Sequence, residues 1–257
     1  MPKAIRALLL LLVAQALACQ AWAVAIELRP ALLAAPLTER LARVLAQGQI
    51  LLSFFVLAAI LRRHSRWRWL GGFTAVYGFT LAAESAGVGL GVLFGAYYFT
   101  DMLGFQWFGL VPALIPLAWF NIAVPSFVAA SLAFPSRAGR VIGGASLMLA
   151  WDLCADPVVG RHYPFWIWHD PGGYYGIPLS NFASWFLIGL LAMASLDRLS
   201  WTRVDEESGR PFLAHYGASL FMALGLALIY RMGLAVLLCS ALLLAVQGGR
   251  RLGWAGK

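Results

Sequence analysis

Eight apolar stretches follow one another along the chain, separated by short polar segments. They cover residues 7–26, 44–61, 70–95, 108–133, 141–155, 181–196, 214–230 and 232–246. Because a bilayer core of about 30 Å needs about 20 apolar residues per helix, each stretch is a candidate membrane span. The pattern predicts an all-α, polytopic transmembrane bundle of seven or eight spans, with residues 1–257 forming a single integral membrane domain.

The last two stretches leave the number of spans open. Only Arg231 interrupts the apolar sequence between them, which leaves almost no loop for a helical hairpin. A single long kinked helix or a re-entrant pair is therefore the alternative to two separate spans.

Composition supports the membrane class. Of 257 residues, 61% are hydrophobic and 12% are charged, against about 25% charged in an ordinary soluble domain. The net charge of +8 could suggest nucleic acid, but the basic residues cluster between apolar stretches, where they determine topology. We therefore expect the lipid bilayer, and no nucleic acid, as a partner.

The distribution of basic residues predicts the orientation of the chain. With eight spans and a cytoplasmic start, 14 basic residues lie inside and 5 outside. The inside residues are Lys3, Arg6, Arg62, Arg63, Arg66, Arg68, Arg137, Arg140, Arg198, Arg203, Arg210, Arg250, Arg251 and Lys257, and the outside residues are Arg29, Arg40, Arg43, Arg161 and Arg231. This asymmetry predicts a multi-pass protein of the inner (cytoplasmic) membrane with both ends inside.

The amino-terminal stretch has a second interpretation. Lys3 and Arg6 before an apolar run, followed by Ala21-Trp22-Ala23, also fit a secretory signal with a small-residue cleavage site. We favour an uncleaved first span.

Glu84 is the first candidate for chemistry, because a carboxyl in the middle of an apolar stretch is costly unless it is protonated, paired or hydrated. A structural hydrogen bond between helices is the alternative. On the same stretch, Gly87, Gly91 and Gly95 recur every four residues and predict a smooth stripe for helix packing.

Asp152 and Asp156 would share one helical face if their helix continued that far. Pro157 predicts that it stops just before, since the residue preceding a proline is pushed out of the helical region. On that interpretation Asp156 caps or leaves the helix, and Asp152 lies at the membrane edge.

An aromatic segment with several glycines follows. It contains Trp166, Trp168, Tyr174, Tyr175 and Asn181. An interfacial aromatic belt is the ordinary interpretation, but the density of aromatics beside carboxyl groups favours a site. A carboxylic acid in an apolar pocket keeps its proton, and aromatic faces stabilise cations, so these groups suit protonation of an alkene and stabilisation of the carbocation.

Several motifs in the middle of the chain resemble the membrane carotenoid hydratase family, of the gamma-carotene 1',2'-hydratase and bisanhydrobacterioruberin hydratase type. They are Trp151-Asp152, Asp156-Pro157, Trp166-x-Trp168, Gly173-Tyr174-Tyr175-Gly176-Ile177-Pro178-Leu179-x-Asn181-Phe182 and Trp185, with Glu84, Gly87, Phe94-Gly95-x-Tyr97-Tyr98, Asp101, Pro112, Pro116 and Trp119 upstream. The family-like core covers about residues 70–195.

The resemblance implies a role in carotenoid biosynthesis: hydration of the terminal double bond of an acyclic carotenoid end group, with no cofactor. Its acid is Asp152 or Glu84, and Asp156, Asp101 or Asn181 holds the water. The substrate site is expected to comprise Tyr97, Tyr98, Trp119, Trp166, Trp168, Tyr174, Tyr175 and Trp185. The expected partners are a membrane-embedded carotenoid and other enzymes of the carotenoid pathway.

Two alternatives remain open at this point. A carotenoid cyclase, or another acid-catalysed isoprenoid enzyme, would use the same acid and quench the same cation differently. A transporter or non-catalytic lipid-binding protein would use Glu84 as a proton relay or a structural group, although no internal repeat supports transport. No metal site is expected either, because Cys19, Cys154 and Cys239 and the four histidines show no ligand spacing.

Overall fold

The predicted all-α bundle is confirmed. The computed structural model describes residues 1–34, 36–199 and 204–254, and in them eight α-helices match the eight apolar stretches one to one. The helices are α1 (Lys3–Leu28), α2 (Pro36–Ser65), α3 (Trp69–Leu90), α4 (Leu114–Ala133), α5 (Arg137–His162), α6 (Leu179–Asp197), α7 (Glu206–Ile229) and α8 (Gly233–Trp254). Arg203 and Lys257, which were counted in the charge distribution, lie outside the described residues.

The membrane-spanning character differs between helices. Within the described residues, α1, α2 and α4 to α7 are the six helices long and apolar enough to cross a membrane. The apolar part of α8 is shorter, Gly233–Gly248, and α3 carries five glycines besides Glu84. The chain is a multi-pass membrane protein, and a count of seven or eight crossings depends on α3 and α8.

Short strands join two of the helix connections at one end of the bundle, which we call the sheet end. Strands β1 (Tyr97–Phe99), β2 (Gln106–Trp107) and β3 (Val111–Pro112) lie between α3 and α4, and β4 (Trp166–Trp168) lies between α5 and α6. Antiparallel pairing of β1 with β4 sets Tyr97 opposite Trp168, and β2 pairs with β3. The connection between α3 and α4 and the connection between α5 and α6 therefore lie on the same side of the bundle.

The remaining connections follow the same alternation. At the sheet end, the Arg43 guanidinium near the start of α2 lies 3.2 Å from the Asp101 carboxylate. At the opposite end, Asp197 of α6 accepts ion pairs from Arg140 at 2.7 Å and Arg137 at 3.3 Å, both at the start of α5. The helices therefore run up and down, with α4 buried along most of its length in the middle.

A tight turn separates α7 from α8. The N–H of Met232 donates to the Ala227 carbonyl at 2.8 Å, and the N–H of Arg231 donates to Leu228 at 3.1 Å. This is the Schellman pattern that ends a helix, with Arg231 in the left-handed region at φ 56°. The last two stretches are thus two helices, and the interpretation as one kinked helix is wrong.

The predicted glycine stripe does not form, because α3 ends at Leu90. Gly91 adopts φ 64° and donates its N–H to the Gly87 carbonyl at 3.0 Å, which closes the helix. Gly95, at φ 107°, lies in the connection that follows. Of the three glycines, only Gly87 lies on the helix.

The up-and-down arrangement predicts opposite accessibility for the connection before α6 and for the start of α7. In Gly173→Cys the new thiol should react with a membrane-impermeant maleimide added to intact cells, because this position is open and the charge distribution predicts that the sheet end faces outward. In Ser208→Cys it should react only after the membrane is opened. The unsubstituted chain, with Cys19, Cys154 and Cys239 buried, is the control, and equal labelling of both variants in intact cells would contradict the orientation.

Candidate functional site

A largely apolar cavity of about 200 Å³ lies inside the bundle, and three carboxyl groups line it. Glu84 reaches it from α3, and Asp152 and Asp156 reach it from α5. No lysine, arginine or histidine among the described residues contributes to its lining. The acidic groups therefore share an apolar space without a cationic partner.

Glu84 is held by two hydrogen-bond donors. Tyr97 donates its hydroxyl to Oε2, and the indole Nε1 of Trp119 donates to Oε1 at 2.8 Å. Burial, together with the nearby Glu84 carboxyl, raises the pKa of the Tyr97 phenol, so the phenol keeps its proton and acts as the donor. Both oxygens of Glu84 consequently act as acceptors.

Gly87 lets Tyr97 approach Glu84 closely. A Cβ atom at this position would lie 2.8 Å from the Phe94 ring and 3.2 Å from the Tyr97 hydroxyl. Gly87 is three residues after Glu84 and therefore lies on the same face of α3. Because Gly87 has no side chain, β1 can pack directly against the helix at this point. The chain folds back over Gly87 and brings the phenol to the carboxyl.

The helix α5 continues through Pro157 to His162, contrary to the prediction that it stops before the proline. A proline inside a helix removes the hydrogen bond to the carbonyl four residues earlier, here that of Leu153. The Tyr174 hydroxyl donates to this carbonyl at 2.8 Å. A side chain from the next connection thereby replaces the missing backbone donor.

The continuous helix sets Asp152 and Asp156 on one face, one turn apart. Asp152 is 1% exposed, and its Oδ2 has no hydrogen-bond partner in the described part of the chain. Asp156 is also buried, and its Oδ2 accepts a hydrogen bond of 2.6 Å from Asn181 Nδ2. Ten residues, about 15 Å of helix, separate Asp152 from the end of α5, so it is not at an edge.

Aromatic rings surround these carboxyls. Trp119 and Trp185 stack with ring centroids 3.8 Å apart and planes inclined by 15°. Tyr97 lies 4.9 Å from Trp168, and Trp151 lies 6.2 Å from Trp185. All five rings line the cavity, which therefore offers π-faces close to the acidic groups.

Comparison with known proteins identifies the family. The model of the family described as "Carotenoid biosynthesis protein" matches residues 46–246, more than three quarters of the chain. The chain belongs to this carotenoid biosynthesis family. The match is wider than the segment 70–195 on which the motifs were recognised.

One curated relative is the bisanhydrobacterioruberin hydratase of Haloarcula japonica. It is 28% identical over 126 residues, which are 46% of this chain and 41% of that protein. The chain thus matches about two fifths of the relative's length. No solved structure matches the chain.

Most of the site residues predicted for this carotenoid biosynthesis protein lie together. The cavity lining includes Glu84, Tyr97, Trp119, Asp152, Asp156, Trp166, Trp168, Asn181 and Trp185. They come from α3, α4, α5, α6 and the paired strands, so only the folded bundle brings them into contact.

Four predicted residues do not line the cavity. Asp101 is 85% exposed and pairs with Arg43. Tyr98 faces away from Tyr97 and is 43% exposed. Tyr174 supports the Leu153 carbonyl from outside the cavity, and Tyr175, at φ 52°, belongs to the surface loop.

The structure also adds residues that the prediction missed. Phe94 and Trp151 line the cavity beside Glu84 and Asp152, and Gln49 and Asn121 line it from α2 and α4. The two amides stand inside apolar stretches, and polar residues at such positions are a recognised signal of a functional interior.

Replacement of Tyr174 tests whether its hydrogen bond to the Leu153 carbonyl stabilises α5. Tyr174→Phe should destabilise the protein by about 1–3 kcal/mol, because the buried Leu153 carbonyl loses its donor. In Tyr174→Phe/Pro157→Ala part of the loss should return, since the alanine supplies a backbone N–H for the same carbonyl. Thermal unfolding in detergent measures the stability of the single and the double variant. Tyr175→Phe is the control. Equal unfolding midpoints for all three variants would show that the hydrogen bond contributes nothing.

Proposed function

We propose that this protein hydrates the terminal double bond of an acyclic carotenoid end group. One observation carries the proposal: among the described residues, the buried Asp152 has one oxygen without a hydrogen-bond partner, and it opens into an aromatic cavity with no cationic side chain in its lining. Membership of the carotenoid biosynthesis family and the similarity to a hydratase support it.

Asp152 is the proposed acid. Both oxygens of Glu84 already accept hydrogen bonds, which suits a carboxylate that stays charged and stabilises a nearby cation. Asp152 Oδ2 has no such donor among the described residues. Because an ionised carboxylate without a partner is costly in an apolar interior, we take Asp152 in its protonated form, ready to transfer the proton to carbon.

The reaction is balanced without a redox step. Asp152 gives a proton to the less substituted carbon of the terminal alkene, and the π electrons form the new C–H bond. Water then adds its oxygen to the tertiary cation and releases a proton to Asp156, which acts as an ionised carboxylate and is oriented by the hydrogen bond from Asn181. Transfer of that proton to Asp152, one helical turn away, restores the starting state.

The aromatic walls stabilise the intermediate. A cation over a desolvated aromatic face gains about 0.5–2 kcal/mol from each ring. The stacked indoles of Trp119 and Trp185, and the rings of Tyr97 and Trp168, provide such faces. The proposed steps use water and side chains of this chain, and the proposed substrate is a carotenoid that enters from the lipid bilayer.

Asp152→Asn tests the acid. In a bacterium that accumulates lycopene or gamma-carotene, the unsubstituted chain should produce a carotenoid heavier by one water, with its oxygen derived from labelled solvent water. Asp152→Asn should lower the yield by about 10²–10⁴-fold, because the amide cannot donate an acidic proton. Chromatography with mass detection measures the pigments.

Asp101→Asn is the matched control, because it makes the same change at an exposed carboxyl outside the cavity; it should keep full yield. Normal hydration by Asp152→Asn would remove Asp152 as the acid. An isomeric cyclised pigment would instead support a cyclase, and unchanged pigments in a strain that expresses the protein well would reject lycopene and gamma-carotene hydration.

Two neighbouring tyrosines allow a second test. Tyr97→Phe should lower kcat by about tenfold with little change in KM, because Glu84 loses a hydrogen bond that positions its charge. Tyr98→Phe, on the opposite face of the same strand, should leave kcat unchanged. Similar kinetics for the two variants would argue against a role for Glu84 in stabilising the cation.

A further inference from the structure

A second polar surface lines the same cavity, far along the sequence from the carboxyls. It consists of Gln49 and Ser53 on α2, Asn121 on α4 and Ser219 on α7, and we call it the amide wall. All four side chains are buried. Neither the acid chemistry nor the aromatic walls uses any of them.

Two amide oxygens of this wall have no hydrogen-bond donor in the part of the chain that the structure describes. Gln49 is 7% exposed and Asn121 is 6% exposed, and among the described residues neither Gln49 Oε1 nor Asn121 Oδ1 has a hydrogen-bond donor. The Asn121 amide is oriented, because its Nδ2 donates to the Ile50 carbonyl at 2.9 Å. Buried acceptors of this kind are costly unless something donates to them.

The rest of the wall is held in place. Ser53 Oγ lies 3.0 Å from the Nε2 atom of the fully buried His215 on α7. This contact ties α2 to α7 beside the two amides. The wall is therefore a constructed surface on three helices.

The amide wall is connected to the acidic side of the cavity. Asn121 is two residues from Trp119, about 3 Å along the axis of α4, and Trp119 donates to Glu84. The indole Nε1 of Trp151, next to Asp152, donates to the Ser219 carbonyl at 3.3 Å. Both surfaces thus face one space at a similar depth.

We propose that the amide wall binds a neutral O–H group, either the hydroxyl of a hydrated carotenoid end group or the water that hydration consumes. A hydroxyl or water can donate to the amide oxygens and accept from a serine hydroxyl, and uncharged amides do not require a charged ligand. The identity of the ligand rests on the proposed function, whereas the O–H preference rests on the two unpartnered acceptors.

Binding to the purified full-length chain provides the test. The probes are lycopene and its 1-hydroxy derivative, followed by quenching of tryptophan fluorescence, since several indoles line the cavity. The unsubstituted protein should bind the hydroxylated carotenoid about two- to tenfold more tightly, as expected for a buried hydrogen bond. Gln49→Met, which keeps the volume but removes the amide, should abolish this preference.

Gln47→Met is the matched control. Gln47 lies on the same helix two residues away, outside the cavity lining, and donates to the Met102 carbonyl. Its replacement should keep the preference.

The two sources of the O–H group give different results. Loss of the affinity preference in Gln49→Met assigns the wall to the carotenoid hydroxyl. Unchanged affinity for both carotenoids, with turnover at least about threefold below that of Gln47→Met, assigns it to the reacting water. If Gln49→Met matches Gln47→Met in both measurements, the inference is wrong.

The binding measurement is independent of catalysis. If the pigment assay finds no hydrated product but Gln49→Met still loses the preference for the hydroxylated carotenoid, the proposed function fails and the O–H site stands. If hydration occurs and the preference and turnover are unaffected by Gln49→Met, the O–H site fails alone.

Discussion

The hydrogen bond from Tyr174 to the Leu153 carbonyl supports the arrangement on which the site depends. Pro157 removes the backbone donor for that carbonyl, and in an apolar interior an unpaired carbonyl favours ending the helix. With the phenol in place, α5 continues for another turn and a half, and Asp156 stays on the same face as Asp152. The loop that supplies Tyr174 also leads into Asn181, which holds Asp156. One connection thus maintains the helix and orients the carboxyl.

The charge distribution of the cavity matches the proposed chemistry. Three carboxyls lie in a space with no cationic side chain among its described lining residues, and their surroundings differ. Among the described residues, Glu84 has two hydrogen-bond donors, Asp156 has one amide donor, and Asp152 Oδ2 has none. Identical groups in different surroundings can act as a charge stabiliser, a base and an acid. The aromatic rings add cation affinity without adding charge.

The short strands at the sheet end select which aromatic side chains face the cavity. Because side chains alternate along a strand, β1 directs Tyr97 inward and Tyr98 outward, and its pairing with β4 brings Trp168 beside Tyr97. Strands of three residues leave no periodic signal that the apolar pattern could reveal. The sequence therefore indicated an aromatic cluster but did not distinguish the aromatic residues that line the cavity from those that face away from it.

The sequence by itself determined the class of protein, the positions of the apolar segments and nine residues of the cavity lining, because apolar length and isolated carboxyls in apolar stretches are local signals. Only the tertiary structure decided that α5 passes through Pro157, that α3 ends at Leu90 and that Asp101 faces outward. Two of these outcomes depend on partners distant in the chain: Tyr174 for Leu153, and Arg43 for Asp101. The separation of α7 from α8 was also hidden, since Arg231 occupies a left-handed position that glycine usually marks. Local propensity shows where a helix can end, and contacts across the bundle decide whether it does.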